Sequence, residues 1–372
     1  MDFAFSDEQR AIADLARSVF ADHGSDERIR QVYESGHIFD PELWQSLAGT
    51  GLMAAILPEG VGGSGLGMME LGLILEAQGE ALGPVPLWRH EIASSAIACF
   101  GSAKVQDEYL TELAEGKLVA SICTDASATE LLRVTWVNES WILEGLARCV
   151  AVDERTQLLV LPARDNDDRT HLFAVPMQQD GIDSVTGHYT NHEPLTDVNF
   201  SGVRLKAHAR LDCEAPHDWL ELRSALAISA LQLGVTGEAL RRAAEYTTER
   251  EQFDRSIGSF QGVAIRMADA YIQLELLRTA QWQLAWQIDR GLPALTAARL
   301  AKFQASEAGH IIGHTMQHYH GGVGADLTYP IHRYFLWSTA LDIATGGAEQ
   351  QLHAMACSGL PATVGFEQCL SR

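Results

Sequence analysis

The spacing of apolar residues changes twice along this chain, and this change limits the folds that it can adopt. Up to about residue 118, apolar side chains such as Ile12, Leu15 and Val19 recur at helical spacing. From about 119 to 212, short runs such as "LRVTWV" and "QLLVLPA" are rich in β-branched and aromatic residues and are separated by polar turns, which predicts strands. Long helical runs return from Asp218 onwards.

This order predicts a mainly α protein with a central all-β domain. We expect an N-terminal helical domain at 1–118, a middle β-barrel or sandwich at 119–212, and a C-terminal four-helix bundle at 213–372. In the third domain, Gly291 ahead of Pro293 ends one long helix, and the pair Gly321 and Gly322 ends the next.

Composition excludes several classes of partner. The chain has 27 basic and 49 acidic residues and a formal charge of −22. Nucleic acids and anionic membranes attract basic surfaces, so we expect neither as a partner. No apolar run approaches the roughly 20 residues that span a bilayer, and the acidic start of the chain does not resemble a signal peptide. The six scattered cysteines lack metal or disulfide spacing, which favours the cytoplasm.

Other motifs predict little chemistry. The glycine-rich loops at 60–65 and 321–326 do not join a predicted strand to a helix, as a dinucleotide fingerprint requires. His314, His318 and His320 have a spacing that allows metal binding, but no carboxylate or cysteine accompanies them. We therefore predict no metal site.

Two segments in the C-terminal third form a specific pair of motifs. They are "YTTEREQFDRSIGSFQG" (246–262), which we place on a long helix with Arg250 near its start, and "HYHGGVGADLTYPIHRYF" (318–335). Together they resemble the acyl-CoA dehydrogenase family, whose pattern is Arg-x-Gln-Phe-Gly, then Ile and Phe-Gln, and later a Gly-Gly turn followed by Pro and Arg. The resemblance extends over essentially the whole chain, including the helix–β–helix order and the loop "LPEGVGGSGLG".

The resemblance implies a flavoprotein that takes a proton from Cα and a hydride from Cβ of an acyl-CoA thioester. In the family each FAD is shared: its ring lies against the β domain of one subunit, and the C-terminal helices of the neighbour hold its adenosine diphosphate half. The residues implied in this clasp are Arg250, Gln252, Phe253, Ile257, Phe260, Gln261, Gly321 and Gly322. A planar guanidinium suits a pyrophosphate, and paired glycines allow close approach of the backbone.

The sequence departs from the family at several positions. Asp254 replaces the glycine that follows Phe253, and His318 replaces a usual glutamine. The stretches that correspond to the flavin wall, "TDASATEL" (124–131) and "LARCVAV" (146–152), lack the family's glycine, Ser-Asp pair, aromatic and hydroxyl contacts.

The catalytic glutamate is the most important departure. The family places this base at one of two positions, which by ungapped counting fall on Thr345 and Ser224. Neither hydroxyl can act as a general base at neutral pH. Glu221 lies on the same helix face as Ser224 and is an alternative base, although an exposed acid in the first turn is the simpler interpretation.

These features predict a non-catalytic, FAD-clasping subunit of a heteromeric (α2β2) acyl-CoA dehydrogenase. By analogy with steroid side-chain dehydrogenases, a homologous partner supplies the glutamate, the substrate is a bulky acyl-CoA, and an electron-transfer flavoprotein or similar protein accepts the electrons. Three alternatives stay open: a self-sufficient dehydrogenase that uses Glu221, a flavin-free scaffold with a vestigial clasp, and a different reaction on the same fold.

Overall fold

The computed structural model describes residues 4–36, 38–124 and 131–359. An N-terminal helical domain, a central β-sheet domain and a C-terminal helical domain follow one another, so the predicted fold class is confirmed. The N-terminal helices are α1 (Asp7–His23), α2 (Asp26–Glu34), α3 (Pro41–Gly49), α4 (Met68–Glu80), α5 (Leu87–Phe100) and α6 (Ala103–Ala114). Polar caps begin several of them: the side chain of Ser6 accepts from Gln9 N–H at the start of α1, and Asp40 caps α3.

The central domain is one twisted sheet. Its strands are β1 (Val119–Ile122), β2 (Arg133–Val137), β3 (Ser140–Val150), β4 (Thr156–Arg164), β5 (Thr170–Pro176), β6 (Ile182–His188), β7 (Pro194–Lys206) and β8 (Arg210–Leu211). The strand order is β6-β7-β3-β2-β4-β5-β8, and β1 pairs with β4 in parallel.

The sequence patterns described this sheet incompletely. The runs "SWILEG" and "ARCVAV" are parts of the single strand β3, because Gly145 at φ 116° and local register shifts bend the strand without ending it. The patterns also missed β6 and β7. In β6 the residues from Asp183 to His188 are all exposed, so the strand carries no apolar alternation by which to recognise it.

The C-terminal domain consists mainly of three long helices and two shorter ones. They are α7 (Pro216–Glu249), α8 (Gln261–Asp289), α9 (Leu295–His320), α10 (Ile331–Ile343) and α11 (Ala348–Gly359). Helix α7 packs directly against α4 of the first domain. A Cβ atom on Gly234 would lie 2.0 Å from the carbonyl oxygen of Glu76, and one on Gly79 would lie 2.2 Å from that of Leu231. The two helices can therefore touch backbone to backbone only because both crossing positions are glycine.

Specific polar contacts join the three domains. The carboxylate of Asp289, at the end of α8, accepts hydrogen bonds from the backbone N–H groups of Met68 (2.7 Å) and Met69 (3.1 Å) and so caps α4. The buried ring of His90 on α5 donates from Nε2 to the carbonyl of Leu113 and accepts at Nδ1 from the N–H of Ala120. Within the described ranges, no helix is both long enough and apolar enough to cross a membrane.

Candidate functional site

The first sequence motif forms a hairpin between two helices. Helix α7 ends at Glu249 with Arg250 as its C-cap, and the short strands β9 (Glu251–Gln252) and β10 (Arg255–Ser256) then pair in antiparallel fashion. The two residues between them, Phe253 and Asp254, have φ angles of 57° and 62°. The prediction that Arg250 lies near the start of a helix is therefore wrong, because positive φ at two consecutive residues makes a tight turn and ends the helical path.

The hairpin presents an aromatic and cationic surface. Phe253 is 87% exposed and meets Phe260 edge to face, with 6.3 Å between the ring centroids. The guanidinium of Arg255 lies 3.8 Å from the centroid of the Phe260 ring. The N–H of Ile257 donates to the carbonyl of Arg250 at 2.8 Å, which closes the loop ahead of α8.

Three arginine side chains in and next to this hairpin have no acidic partner in the described part of the chain. The side chains of Arg250, Arg255 and Arg266 have no carboxylate within ion-pair distance among the residues that the structure describes. In the same structure, arginines elsewhere, such as Arg28 and Arg242, pair with acids. Unpaired guanidiniums beside exposed aromatic rings suit a ligand that has both phosphate groups and a flat ring.

The second motif meets the first at the end of α9. That helix stops at His320, and Gly321 adopts φ 55° and ψ −132°, a conformation that is essentially restricted to glycine. The ring of His320 stacks on Tyr246, one turn before Arg250, with 4.4 Å between centroids. The hydroxyl of Tyr319 donates to the carbonyl of Val263 near the start of α8.

These contacts bring the ends of three helices together, and with them the eight residues implied by the resemblance. A Cβ added at Gly321 or Gly322 would find no atom within 4 Å, so the backbone there is open to approach. Gln252 and Gln261 are both exposed, the first on β9 and the second at the start of α8. We call this surface the clasp.

The two residues that ungapped counting matched to the family base lie together in another part of the molecule. Ser224, on α7, and Thr345, in the turn between α10 and α11, line one cavity of about 180 Å³. Gln351 on α11 holds the turn by donating to the carbonyl of Thr345 at 3.1 Å. Ser224 is 1% exposed, and its hydroxyl has no hydrogen-bond partner in the described part of the chain. We call this space the base cavity.

Glu221 also lines the base cavity, and its environment differs from the expectation. Its carboxylate accepts a hydrogen bond from Nε of Arg299 on α9 at 2.8 Å, and its side chain is only 34% exposed. The same guanidinium donates to the carbonyl of Ala354 on α11. The interpretation of Glu221 as an exposed first-turn acid is therefore wrong, because its partner comes from a helix that is distant in sequence.

Lys302 is a residue of the base cavity that the sequence analysis missed. It is 1% exposed on α9, and its ammonium group donates to the hydroxyl of Ser306 (2.9 Å) and to the carbonyl of Asp342 (2.7 Å). Burial lowers the pKa of Lys302 to about 8. Lys302 lies four residues after Ala298 and three residues before Ala305, and both alanines are buried. This helical spacing indicates that Lys302 also faces inward.

The flavin-wall segments are only partly described. Thr124 lines the base cavity, whereas residues 125–130 of "TDASATEL" lie outside the described residues. In "LARCVAV", Val150 and Val152 are buried in the core of the β domain. Between them, the carbonyl of Ala151 accepts a hydrogen bond from the hydroxyl of Ser121 at 2.7 Å.

The described part of the chain has no group of three or more His, Cys, Asp or Glu side chains that could hold a metal ion. His314 packs edge to face against His310, with 4.5 Å between centroids, and contacts Phe335. His320 is tied to the carbonyl of Met316, and burial lowers its pKa. Aromatic packing and capping of helix ends thus account for two of the histidines considered above.

Comparison with known proteins assigns the chain to a family. Residues 6–117 match the family model of the acyl-CoA dehydrogenase N-terminal domain, and residues 222–360 match that of the acyl-CoA dehydrogenase C-terminal domain. This chain belongs to the acyl-CoA dehydrogenase family. Acyl-CoA dehydrogenase FadE27 of Mycobacterium tuberculosis is 32% identical to it over 362 residues, which cover 95% of this chain and 97% of the relative.

Two solved structures support the same assignment. The ChsE4–ChsE5 complex from Mycobacterium tuberculosis matches with a TM-score of 0.92 and 31% identity, over 97% of this chain and 100% of the other. A variant of the Tcur3481–Tcur3483 steroid ACAD matches with a TM-score of 0.89 and 34% identity, over 94% of this chain and 97% of the other. The resemblance to steroid-type heteromeric acyl-CoA dehydrogenases is thus confirmed.

Proposed function

We propose that this chain is the non-catalytic, FAD-clasping subunit of a heteromeric acyl-CoA dehydrogenase. One observation carries the proposal: the two positions at which the family places its base, Ser224 and Thr345, meet in one cavity, and both are hydroxyl residues. The carboxylate that lines this cavity, Glu221, is held by Arg299. A general base must be free to accept the substrate proton, and neither hydroxyl can do so near neutral pH.

The size of the base cavity supports this proposal. Pockets for drug-sized ligands usually enclose about 300–1,000 Å³. A flavin ring and an acyl thioester must lie side by side for hydride transfer, and the base cavity has a volume of about 180 Å³. We infer that this subunit does not hold both groups in its own cavity.

The clasp fits the adenosine diphosphate half of an FAD whose ring lies in the partner. The unpaired guanidinium of Arg250 suits the pyrophosphate, and exposed Phe253 offers a face to adenine or to the partner's surface. Open backbone at Gly321 and Gly322 permits close approach. Proteins of this family bind FAD, which accepts the substrate hydride when it is bound. The role of this chain is to bind the cofactor and orient it.

The rest of the proposed complex follows from this division of roles. A homologous, glutamate-bearing subunit supplies the base and the flavin wall, which gives an α2β2 assembly with one FAD per heterodimer. The substrate is a bulky acyl-CoA of the steroid side-chain class, a proposal supported by the similarity to a steroid ACAD. An electron-transfer flavoprotein or a similar acceptor reoxidises the flavin, and the complex works in the cytoplasm.

Flavin stoichiometry tests the proposal. The protein is purified from its native host with any co-purifying homologue, and also alone after recombinant expression. We expect one FAD per two dehydrogenase chains in the complex and a colourless isolated chain. An isolated chain that is yellow and bleaches with acyl-CoA contradicts the proposal.

Substitution of Arg250 by alanine tests the clasp. Arg250→Ala removes the charge that holds the pyrophosphate, so we expect the FAD affinity of the complex to fall about 10- to 100-fold. Arg290→Ala is the matched control, because Arg290 is also exposed but lies at the far end of α8. FAD content is measured by absorbance after gel filtration. Unchanged content in Arg250→Ala would instead favour a scaffold with a vestigial clasp.

A second candidate function has an observation in its favour. Because Glu221 lines the base cavity, a self-sufficient dehydrogenase could use it once substrate displaces Arg299. In that case Glu221→Gln would abolish acyl-CoA oxidation by the isolated chain. Under the proposed function the isolated chain has no such activity to lose, and the same substitution leaves turnover by the complex within about twofold.

A further inference from the structure

We propose that the base cavity binds a small monocarboxylate anion of acetate size between Lys302, Ser224 and His217. This inference goes beyond the role in cofactor binding, because it assigns a separate ligand to a cavity that the proposed function leaves without a catalytic role. It rests on three features: an uncompensated buried charge, unpartnered polar groups that line the same space, and the shape and polarity of the walls.

The buried charge is that of Lys302. An ammonium group has three N–H donors, and two of them reach the neutral acceptors Ser306 Oγ and Asp342 O. No carboxylate of the described residues lies within ion-pair distance of it, and the charge of Asp342 acts on the ammonium group only from farther away. A buried cation without a counter-ion is costly, and the cost is relieved when an anion occupies the adjoining space.

The unpartnered groups are Ser224 Oγ and His217 Nδ1. Both atoms are buried without a hydrogen-bond partner among the described residues, and both residues line the base cavity with Lys302. Burial lowers the pKa of His217, which favours a neutral ring with one N–H. The ammonium group of Lys302 and the hydroxyl of Ser224 each offer a hydrogen-bond donor to the cavity. An anion with two acceptor oxygens can accept from both.

The remaining walls favour one negative charge and a short apolar tail. Glu221 is compensated by Arg299 at 2.8 Å, and Thr124, Thr345 and Gln351 are neutral, so the net charge that faces the cavity is that of Lys302. A doubly charged phosphate is therefore a poorer match than a monoanion. Ala225 and Ala298 supply apolar wall for a methyl group. The volume of about 180 Å³ admits an ion of a few heavy atoms.

Titration with sodium acetate tests the proposal. The purified full chain, and the complex where it is obtained, are kept at pH 7 and constant ionic strength with sodium methanesulfonate as the balancing salt. Binding is followed by saturation-transfer NMR on acetate and by the shift of the unfolding temperature. We expect saturable binding and a matching rise in unfolding temperature, because acetate binds only the folded protein.

Three variants identify the site. Lys302→Met removes the charge and is expected to weaken acetate binding about 10- to 100-fold, whereas Ser224→Ala removes one hydrogen bond and weakens it about three- to tenfold. Lys104→Met is the control, since Lys104 is exposed on α6 and distant in sequence from the cavity-lining residues. Ser224→Ala loses only one oxygen atom, so it keeps the test informative even if Lys302→Met does not fold.

Two outcomes overturn the proposal. One is an acetate effect that does not saturate and is equal in all variants, which indicates a general salt effect. The other is the absence of any acetate binding signal while chloride raises the unfolding temperature, which indicates a cavity that admits chloride but not acetate. FAD content is measured on the same samples, so a failure of the proposed function appears separately, as flavin in the isolated chain.

Discussion

Two residues of the clasp adopt backbone conformations that their side chains disfavour. Phe253 and Asp254 have positive φ, a region in which bulky residues are rare and aspartate is tolerated. Phe253 is also 87% exposed, so its edge-to-face contact with Phe260 buries little of the ring. We infer that strain is kept there because the hairpin orients Phe253 toward a partner or a cofactor.

The strain at position 254 can be tested by restoring the family residue. Asp254→Gly relieves the left-handed conformation but adds entropy to the unfolded chain, so we expect the free energy of unfolding to rise by up to about 1 kcal/mol. Asp254→Ala is the matched control, and it should lower stability because alanine lacks the side-chain hydrogen bonding that lets aspartate tolerate this conformation. Urea denaturation measures both. A loss of stability in Asp254→Gly would contradict this account of the turn.

Residue identity and residue environment were predictable to different degrees. The sequence identifies Arg250 as a cation beside aromatic residues, and the structure adds that it has no ion-pair partner among the described residues. The sequence identifies Ser224 and Thr345 as hydroxyls, but not that they share a cavity with Lys302. Contacts between distant segments decide such environments, and spacing along one segment cannot reveal them.

At the scale of elements, α4 and α7 cross backbone to backbone and so join the first and third domains. The backbones approach so closely that a Cβ on Gly234 would overlap the carbonyl oxygen of Glu76 at 2.0 Å. That oxygen belongs to a helix backbone and cannot move without distorting α4. The same helix carries His217, Glu221 and Ser224 of the base cavity, so a displaced α7 would also disturb the site.

Substitution of Gly234 tests the importance of this crossing. Gly234→Ala should lower the free energy of unfolding by about 3 kcal/mol through overpacking. Gly237→Ala, three residues along α7, is the control: its Cβ would meet only Leu274 at 4.0 Å, and helix propensity predicts a gain of up to about 1 kcal/mol. Thermal unfolding distinguishes the two. Equal effects would show that the crossing does not limit stability.

Long helices were easier to predict than the elements between them. Helices α8 and α9 end within two residues of the glycines that were predicted to end them, Gly291 and the pair Gly321 and Gly322. The hairpin at 251–256 was missed, since its turn carries Phe-Asp in place of the usual Asn-Gly signal. Edge strand β6 was missed because its side chains are mostly exposed.

At the scale of the whole molecule, His90 links the N-terminal domain to the sheet. Its neutral ring is bonded on one side to α6's Leu113 and on the other to Ala120 of β1. Burial lowers the pKa of His90 to about 4 from the ordinary value of 6.5. Protonation of Nδ1 would remove the bond to Ala120, so acidification should loosen the junction between the two domains.

The pH dependence of stability tests this link. The pKa of His90 is lower in the folded protein than in the unfolded chain, so between about pH 6.5 and 4 the unfolded chain binds the extra proton. The stability that His90 contributes above this window is therefore lost as the pH falls through it. The shift corresponds to about 3 kcal/mol. His90→Gln keeps a donor and an acceptor but does not titrate, so its loss of stability over this window should be smaller by that amount.

The neighbouring Glu91 also makes stability depend on pH. The stability profiles of His90→Gln and of the unsubstituted protein are therefore compared by subtraction. Burial of Glu91 raises the pKa of its carboxyl group well above the ordinary value, so its contribution to stability falls as pH rises, with the opposite sign. Subtracting the profile of His90→Gln from that of the unsubstituted protein cancels the contribution of Glu91. A difference that stays constant from pH 6.5 to 4 would contradict the assignment to His90.

The sequence by itself determined the order of the helical, β and helical domains, because helical periodicity and strand-rich runs depend on neighbours in the chain. The family resemblance implied the residues of the clasp, and their role in binding a cofactor stays a prediction. Ungapped counting placed hydroxyl residues at the two positions where the family has its base, and that assignment stays a prediction. Only the tertiary structure decided that Ser224 and Thr345 meet, that Glu221 is paired with Arg299, and that Lys302 is buried beside them. Those relations depend on how α7, α9 and α10 pack, and packing brings together residues that no local pattern connects.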